Sequence, residues 1–146
     1  PASGVFLDMG CGWGPIALAL ADAAPDATVL AVDINERAVD LAARNASAAG
    51  LGNIRALMAD DLLAELRSSS ATVDLIWSNP PVRIGKEALH SLLLTWLALL
   101  SDKGEAWFVV QKNLGADSLM AWLNSQGWNA TRAASSRGFR VLHVHR

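Results

Sequence analysis

The stretch VFLDMGCGWGPIALALADAA, residues 5–24, decides the fold of this chain. It begins with an apolar run, passes through glycines at positions 10, 12 and 14, and continues from Pro15 as an alanine- and leucine-rich segment. The apolar run predicts a short strand from Val5 to Asp8. Proline suits the first turn of a helix, where no backbone donor is needed. The stretch therefore predicts a buried strand, a glycine-rich turn and a helix.

The alternation of strands and helices continues along the chain. Further strands are predicted at 27–33, 54–60, 72–78 and 104–112, and further helices at 35–50, 61–69, 86–100 and 116–126. Apolar strands separated by helices form a parallel sheet that is covered on both faces. Residues 128–135 and 139–146, with a short gap between them, predict an antiparallel hairpin. The predicted fold is α/β: a Rossmann-like, doubly wound, mostly parallel sheet ending in that hairpin.

The composition fits one soluble domain over residues 1–146, since the chain is 52% hydrophobic and 18% charged. A single cysteine, Cys11, excludes an internal disulfide and a cysteine zinc site, so we expect a reducing cytoplasm and no metal. No apolar run approaches the roughly 20 residues of a membrane helix. The first residues lack the basic region of a signal peptide. We therefore expect no membrane association.

The charge is distributed unevenly. Residues 1–80 carry ten acids and four bases, whereas residues 81–146 carry four acids and eight bases. Such asymmetry could steer a polyanion toward one face, or be an ordinary solvated surface. The net charge of −2 excludes nucleic-acid binding by bulk charge alone.

A cofactor site is predicted at the glycine-rich turn, because ligands bind at the carboxyl ends of parallel strands. Gly10, Gly12 and Gly14 allow a sharp turn and a close backbone approach. Their G-x-G-x-G spacing differs from the G-x-G-x-x-G of nicotinamide-binding folds. Asp8, just before them, suits a cofactor with a cationic amino-acid end and no phosphate. S-adenosylmethionine has that end.

Acidic residues close the next two predicted strands. Asp33 could accept hydrogen bonds from both ribose hydroxyls of an adenosine. Asp60 and Asp61 could receive an adenine amino group. Cys11 is interpreted as a small residue of the turn and is given no nucleophilic role.

The fourth predicted strand ends in SNPPVRIGK, residues 78–86. Two prolines cannot lie inside a central strand, so they form a rigid turn. The Asn79 side-chain oxygen and the Pro80 carbonyl could each accept an N–H bond from an amine. Two fixed acceptors would localise the lone pair of a base amine or an amide nitrogen and aim it at a methyl donor.

These residues resemble the class I S-adenosylmethionine-dependent methyltransferases with the N-P-P signature, in particular the small domain group that includes guanine-N2 methyltransferases of small-subunit ribosomal RNA. The likeness covers nearly the whole chain. It is carried by the following stretches: LDMGCGWGPIALALA, VDINERAVDLAARNA, DDLL, SNPPVRIGK, VVQKNLGA and SSRGFRVLHV.

The resemblance implies roles for individual residues. Asp8 and the three glycines would line the methionine end of the cofactor and Asp33 its ribose. Ile34 would pack on the adenine, edged by Asp61 and Leu62. The target amine would be held by Asn79, Pro80 and Pro81. RNA, as ribosomal RNA or the small subunit, would be the partner.

Two features depart from the family pattern. Val82 stands where an aromatic residue often stacks on a flipped base, so Trp13 or Trp77 could supply an aromatic face or be ordinary core or rim residues. The chain also starts at its first strand, so we expect it to lack an N-terminal segment of the family.

Basic residues suggest where a substrate phosphate could bind. Arg83 and Lys86 follow the N-P-P turn and, with Val82, are the predicted substrate contacts. Lys112, Arg137 and Arg140 could extend that track.

Several alternatives remain open at this point. They are methylation of a release-factor glutamine, methylation of adenine N6, a non-catalytic methyltransferase-like module and, least favoured, a nicotinamide oxidoreductase. His143 and His145 share one face of the last strand without a nearby acid in sequence, and are interpreted as surface residues rather than metal ligands.

Overall fold

The computed structural model describes residues 3–81 and 84–146. The strands are β1 (Ser3–Met9), β2 (Asp26–Asp33), β3 (Ile54–Met58), β4 (Val73–Ser78), β5 (Leu100–Gln111), β6 (Asn129–Ser136) and β7 (Phe139–His145). The helices are α1 (Pro15–Ala23), α2 (Glu36–Ala48), α3 (Ala59–Ser69), α4 (Lys86–Leu97) and α5 (Ala116–Ser125), and a short 3-10 turn spans Lys112–Leu114.

One sheet contains these strands in the order β3-β2-β1-β4-β5-β7-β6. Neighbouring strands from β3 to β5 are parallel, whereas β7 is antiparallel to both β5 and β6. The predicted α/β fold and its C-terminal hairpin are confirmed. The chain leaves β1 toward β2 on one side and later returns to β4 on the other. The switch in strand order therefore lies between β1 and β4, where open α/β sheets bind ligands.

Two predicted element boundaries are wrong. The third strand ends at Met58, so Asp60 and Asp61 lie in the first turn of α3. Acidic side chains are favoured there by the positive end of the helix dipole. The fourth helix ends at Leu97 and β5 begins at Leu100, four residues before the predicted start. Leu100 pairs with Val73 across the sheet, a contact that local sequence does not encode.

The helices bury both faces of the sheet with different side chains. Large residues such as Trp96 and Phe108 fill the core between the sheet and α3, α4 and α5. Alanines of α1 and α2, including Ala17 and Ala42, make the smaller core on the opposite face. Small side chains let these helices lie close to the strand ends that carry the predicted site. Among the described helices, none is long and apolar enough to cross a membrane.

The start of α2 is fixed by a side-chain cap. The Asn35 side-chain oxygen accepts hydrogen bonds from the backbone N–H groups of Arg37, at 2.9 Å, and Ala38, at 3.4 Å. These bonds satisfy donors that a helix leaves free in its first turn. The segment that follows Asp33 and Ile34 is therefore held in place at the edge of the sheet.

Candidate active site

The ends of β1 and β4 are joined directly. The buried Ser78 hydroxyl donates a 2.6 Å hydrogen bond to the Met9 carbonyl. A Cβ atom added at Gly10 would lie 3.9 Å from the Asn79 carbonyl oxygen. The glycine-rich turn and the N-P-P turn therefore lie side by side at the switch point of the sheet.

The glycine-rich turn depends on left-handed backbone. Gly10, Gly12 and Gly14 have φ angles of 74°, 57° and 97°. These values lie in the left-handed region of backbone conformation, which costs residues other than glycine free energy. A Cβ atom at Gly14 would also lie 3.3 Å from the Cβ of Ala42 in α2. The turn is closed by hydrogen bonds of 2.9 Å from the Gly10 and Cys11 N–H groups to the Val32 carbonyl.

Asp33 fixes the same turn from the neighbouring strand. One carboxylate oxygen accepts a 3.0 Å bond from the Gly12 N–H, and the other accepts a 3.0 Å bond from the Asn35 N–H. A carboxylate oxygen can accept more than one hydrogen bond. Asp33 therefore orders the backbone and keeps acceptor capacity for a ligand hydroxyl.

Asp8 is the buried acid of the site, only 1% exposed. Its Oδ2 accepts a 3.0 Å bond from the Ala17 N–H in the first turn of α1, while Oδ1 has no partner among the described residues. Burial raises the pKa of Asp8 to about 7; the Ala17 bond opposes this rise, and the charge of Asp33 adds to it. An unpartnered buried carboxylate oxygen has the chemistry to hold a cationic group, as the amino-acid end of S-adenosylmethionine requires.

Cys11 does not have the properties of a nucleophile. Its side chain is buried, and its thiol contacts the Gly12 carbonyl at 3.4 Å. Burial raises the pKa of the Cys11 thiol to about 12, with further contributions from Asp8 and Asp33. A thiol in that environment stays protonated at neutral pH.

A cavity of about 340 Å³ opens at the junction of these elements. Five predicted site residues line it: Gly10, Asp33, Ile34, Asn79 and Pro81. Ile34 is 83% exposed, so it presents an apolar surface at the cavity rather than to the core. Pro80 is buried behind the turn.

The cavity wall also includes residues that sequence reasoning did not assign to the site. They are Met9, Val32, Ala59, Ile84, Leu92 and Trp96. Leu92 and Trp96 are one turn apart in α4, and Trp96, which is 1% exposed, also belongs to the core beneath the sheet. Apolar residues at such a spacing are typical of a helix face that packs on a core. Only the packing of α4 brings them to the cavity.

Two predicted adenine contacts are absent from the cavity wall. Asp61 is exposed in the first turn of α3, and Leu62 is 1% exposed within the core. The helix begins at Ala59, earlier than expected, and this turns the Leu62 side chain inward. Ala59 lines the cavity there instead.

The predicted substrate contacts fall in different places. Val82 and Arg83 lie outside the described residues. Lys86 is the exposed first residue of α4 and does not line the cavity. The substrate roles of these residues stay predictions.

The aromatic residue at the cavity is not one of those expected. Trp13 is 54% exposed, and Trp77 stacks on Trp107 with ring centroids 5.6 Å apart. Neither lines the cavity, where Trp96 is the aromatic residue.

The sheet also gives the last strand an acidic neighbour that sequence reasoning missed. His143 Nε2 lies 3.0 Å from Glu105 Oε1, because β7 pairs with β5. Within the described ranges, no three His, Cys, Asp or Glu side chains are grouped as metal ligands.

A family model described as methyltransferase small domain matches residues 1–143. The chain belongs to the methyltransferase small domain family. This confirms the resemblance inferred from the motifs, and with it the general class of S-adenosylmethionine-dependent methyltransferase.

The matched relatives differ in how much of their length is covered. The Bacillus subtilis protein YbxB is 35% identical over 139 residues, which cover 95% of this chain and 68% of YbxB. The release factor glutamine methyltransferase of Escherichia coli is 45% identical over 76 residues. That match covers 52% of this chain and 26% of the enzyme.

Solved structures share the fold at lower identity. The Thermus thermophilus 16S rRNA N2 G1207 methyltransferase RsmC, solved with AdoMet and guanosine, has a TM-score of 0.80 and 24% identity. The alignment covers 97% of this chain and 37% of RsmC. The ribosomal protein L11 methylase of Lactobacillus delbrueckii has a TM-score of 0.76 and 24% identity, over 97% of this chain and 69% of the methylase. The comparisons support S-adenosylmethionine as the cofactor.

Proposed function

We propose that the chain transfers a methyl group from S-adenosylmethionine to an exocyclic amine of a nucleic-acid base, with guanine N2 of small-subunit ribosomal RNA as its target. The observation that carries the proposal is the position of Asn79. It is exposed at the carboxyl end of β4 and lines the same cavity as Gly10 and Asp33. Base amines need hydrogen-bond acceptors of this kind beside the methyl donor. The target in the RsmC structure supports guanine N2.

In this proposal, residues that line the cavity and residues of the adjoining glycine-rich turn bind different parts of the cofactor. Asp8 and the glycine turn hold the amino-acid end of the cofactor, Asp33 its ribose, and Ile34 its adenine. Bound S-adenosylmethionine supplies a methyl group on a sulfonium, so that the C–S bond breaks as the N–C bond forms.

The N-P-P turn acts on the acceptor. The Asn79 side-chain oxygen and the Pro80 carbonyl accept the two N–H bonds of the amine and direct its lone pair toward the methyl group. The prolines keep these acceptors in place, and such orientation can contribute several kcal/mol to the barrier reduction. The methylated amine then releases a proton to water, so the turn needs no strong base.

Methylation of a glutamine side chain is the second candidate. An amide nitrogen needs two hydrogen-bond acceptors in the same way as a base amine. About half of this chain also aligns with the Escherichia coli release factor enzyme, at 45% identity. RNA is favoured over a protein substrate by the excess of basic over acidic residues in residues 81–146. This part of the chain includes the residues that directly follow the N-P-P turn. Methylation of ribosomal RNA would make the protein part of cytoplasmic rRNA processing.

The deciding experiment uses S-adenosylmethionine labelled with tritium in the methyl group. The protein is offered unmodified small-subunit RNA, assembled small subunits and release factor in parallel, and labelled RNA is digested to nucleosides. We expect labelled N2-methylguanosine. A different methylated nucleoside would keep the chemistry and change the target, whereas label in release factor alone would replace RNA by glutamine.

A further inference from the structure

A second groove lies on the same edge of the sheet as the N-P-P turn. It has a volume of about 460 Å³ and is formed where β5 ends and β6 turns into β7. Its lining residues are Gln111, Lys112, Asn113, Arg137, Gly138 and Phe139. This set combines two cations, two side-chain amides and an aromatic ring, and it includes no carboxylate.

The groove is held together by the sheet and by a tight turn. Gln111 at the end of β5 pairs with Phe139 at the start of β7, and the Lys112 N–H donates to the Gly138 carbonyl. Arg137 and Gly138 have φ angles of 40° and 88°, as a two-residue type I′ hairpin turn requires. The two cationic segments are therefore fixed relative to each other.

The arginine in this turn is not explained by the turn itself. Left-handed backbone is costly for a residue with a long side chain, and asparagine or glycine forms such turns more readily. Arg137 and Lys112 are both exposed, and neither forms a salt bridge within the described parts of the chain. The arginine is therefore available to bind an anion from solution.

Phe139 adds a contact that a simple anion site would not need. Its side chain is 40% exposed, on the face of β7 opposite to the buried Leu142 and Val144. An exposed ring beside free cations is the combination that single-stranded nucleic acid uses, because bases stack on the ring while phosphates contact the cations. The amides of Gln111 and Asn113 can bond to base edges or sugar hydroxyls.

The position of the groove fits a substrate strand that passes the N-P-P turn. Ser78 of β4 lies opposite Phe108 of β5, and β5 then continues for three residues, or about 10 Å, to Gln111. β7 lies one strand further, at about 5 Å. The groove thus lies beside and beyond Asn79, on the side of β5.

The charges at the opposite edge of the sheet are different. A pocket there is lined by Asp74 and Glu105 together with Lys103. Arg140, which sequence reasoning placed on the basic track, does not line the groove. Its side chain is 11% exposed, with Nε 3.9 Å from Asp117 Oδ1. The groove at the edge of the sheet that carries the N-P-P turn therefore has Lys112 and Arg137 as its charged residues, with no acidic side chain in its lining.

We propose that the groove of Lys112, Arg137 and Phe139 binds single-stranded RNA beside the nucleotide to be methylated. The proposal rests on the proposed function, and it assigns these side chains to substrate affinity rather than to methyl transfer. Lys112 and Arg137 contact phosphates, and Phe139 stacks on a base next to the target.

Binding is tested by fluorescence anisotropy with a labelled unstructured RNA of about 12 nucleotides, a length within the usual site size of such surfaces. The double variant Lys112→Ala/Arg137→Ala is compared with Arg67→Ala/Lys103→Ala, which removes the same charge from α3 and the opposite edge. We expect loss of two phosphate contacts to reduce the slope of log affinity against log salt by about 1.4, with the control unchanged. Phe139→Ala should weaken binding about 5- to 150-fold, while Phe139→Trp retains it.

The outcomes separate this proposal from the proposed function. Equal RNA affinity and salt slope for the two double variants would overturn the groove, as would an absence of RNA binding by the unaltered protein. A groove variant that binds RNA normally but loses affinity for release factor would also overturn it, in favour of a protein substrate. If the groove variants formed N2-methylguanosine as the unaltered protein does and bound RNA as tightly, only the proposed function would stand. If RNA binding depended on the groove but no methylation occurred, only the groove proposal would stand.

Discussion

The Ser78 hydroxyl donates a buried 2.6 Å hydrogen bond to the Met9 carbonyl, across 69 residues of sequence. Met9 precedes the glycine-rich turn, and Ser78 precedes Asn79. This bond extends the parallel pairing of β1 and β4 beyond Asp8 and Trp77, and so helps to fix the cofactor side of the cavity relative to the N-P-P turn. Methyl transfer requires the two sides to be aligned closely, since small displacements of reacting groups cost large factors in rate.

Ser78→Ala should lower both stability and the rate of transfer. The change leaves the buried Met9 carbonyl without its partner, which costs about 1–3 kcal/mol in the free energy of unfolding. Urea denaturation measures this loss, and single-turnover assays measure the rate.

Ser101→Ala is the matched control for that variant. The Ser101 hydroxyl donates a 3.0 Å bond to Asp74 at the other edge of the sheet. We expect it to affect stability without slowing transfer. If both variants slowed transfer in proportion to their loss of stability, alignment by Ser78 would be rejected.

Asp33→Ala should weaken cofactor binding. The carboxylate bonds to the Gly12 and Asn35 N–H groups and lines the cavity. Losing hydrogen bonds to a charged group costs roughly 1.5–3 kcal/mol, which isothermal titration calorimetry with S-adenosylmethionine would detect. Asp26→Ala, at the other end of β2, is the control. Unchanged affinity in Asp33→Ala would remove this residue from the site.

Asn79→Ala should leave cofactor affinity nearly intact and slow transfer. Removing one positioned acceptor from a catalytic site typically lowers the rate by about a hundredfold or more. Calorimetry checks the affinity, and incorporation of tritiated methyl checks the rate. Full activity in this variant would contradict the proposed role of the N-P-P turn.

Asp8 should make stability depend on pH. Its pKa rises from 3.8 to about 7 in the folded protein, so the folded state binds more protons than the unfolded state between these values. The free energy of unfolding should therefore fall as pH rises from about 4 to about 7. Urea denaturation at intervals across this range measures the slope.

Asp8→Asn is the comparison, because an asparagine oxygen can still accept the Ala17 bond. We expect a flatter pH profile and weaker binding of the cationic cofactor. In the unaltered protein, cofactor affinity should rise through about pH 7 as the carboxylate ionises. An identical pH profile in both proteins would show that another group is responsible.

Local sequence was enough to predict the parts of the site that depend on short-range geometry. Gly10 and Asn35 meet backbone requirements within a few residues, and Asp33 and Asn79 follow apolar runs that form strands. Parallel strands bring their carboxyl ends to one edge, so alternation of strands and helices also predicted that these residues would gather. The family resemblance followed from the same motifs.

Only the tertiary structure decided which other side chains reach that edge. Leu62 was predicted to contact the adenine but lies in the core, whereas Trp96, which was not assigned to the site, lines the cavity. Arg137 and Arg140 are three residues apart, yet one is exposed at a turn and the other is mostly buried near Asp117. The physical reason is that strand pairing and helix packing join distant segments, as in the Ser78–Met9 bond, and apolar or charged character alone does not encode which partner a side chain will meet.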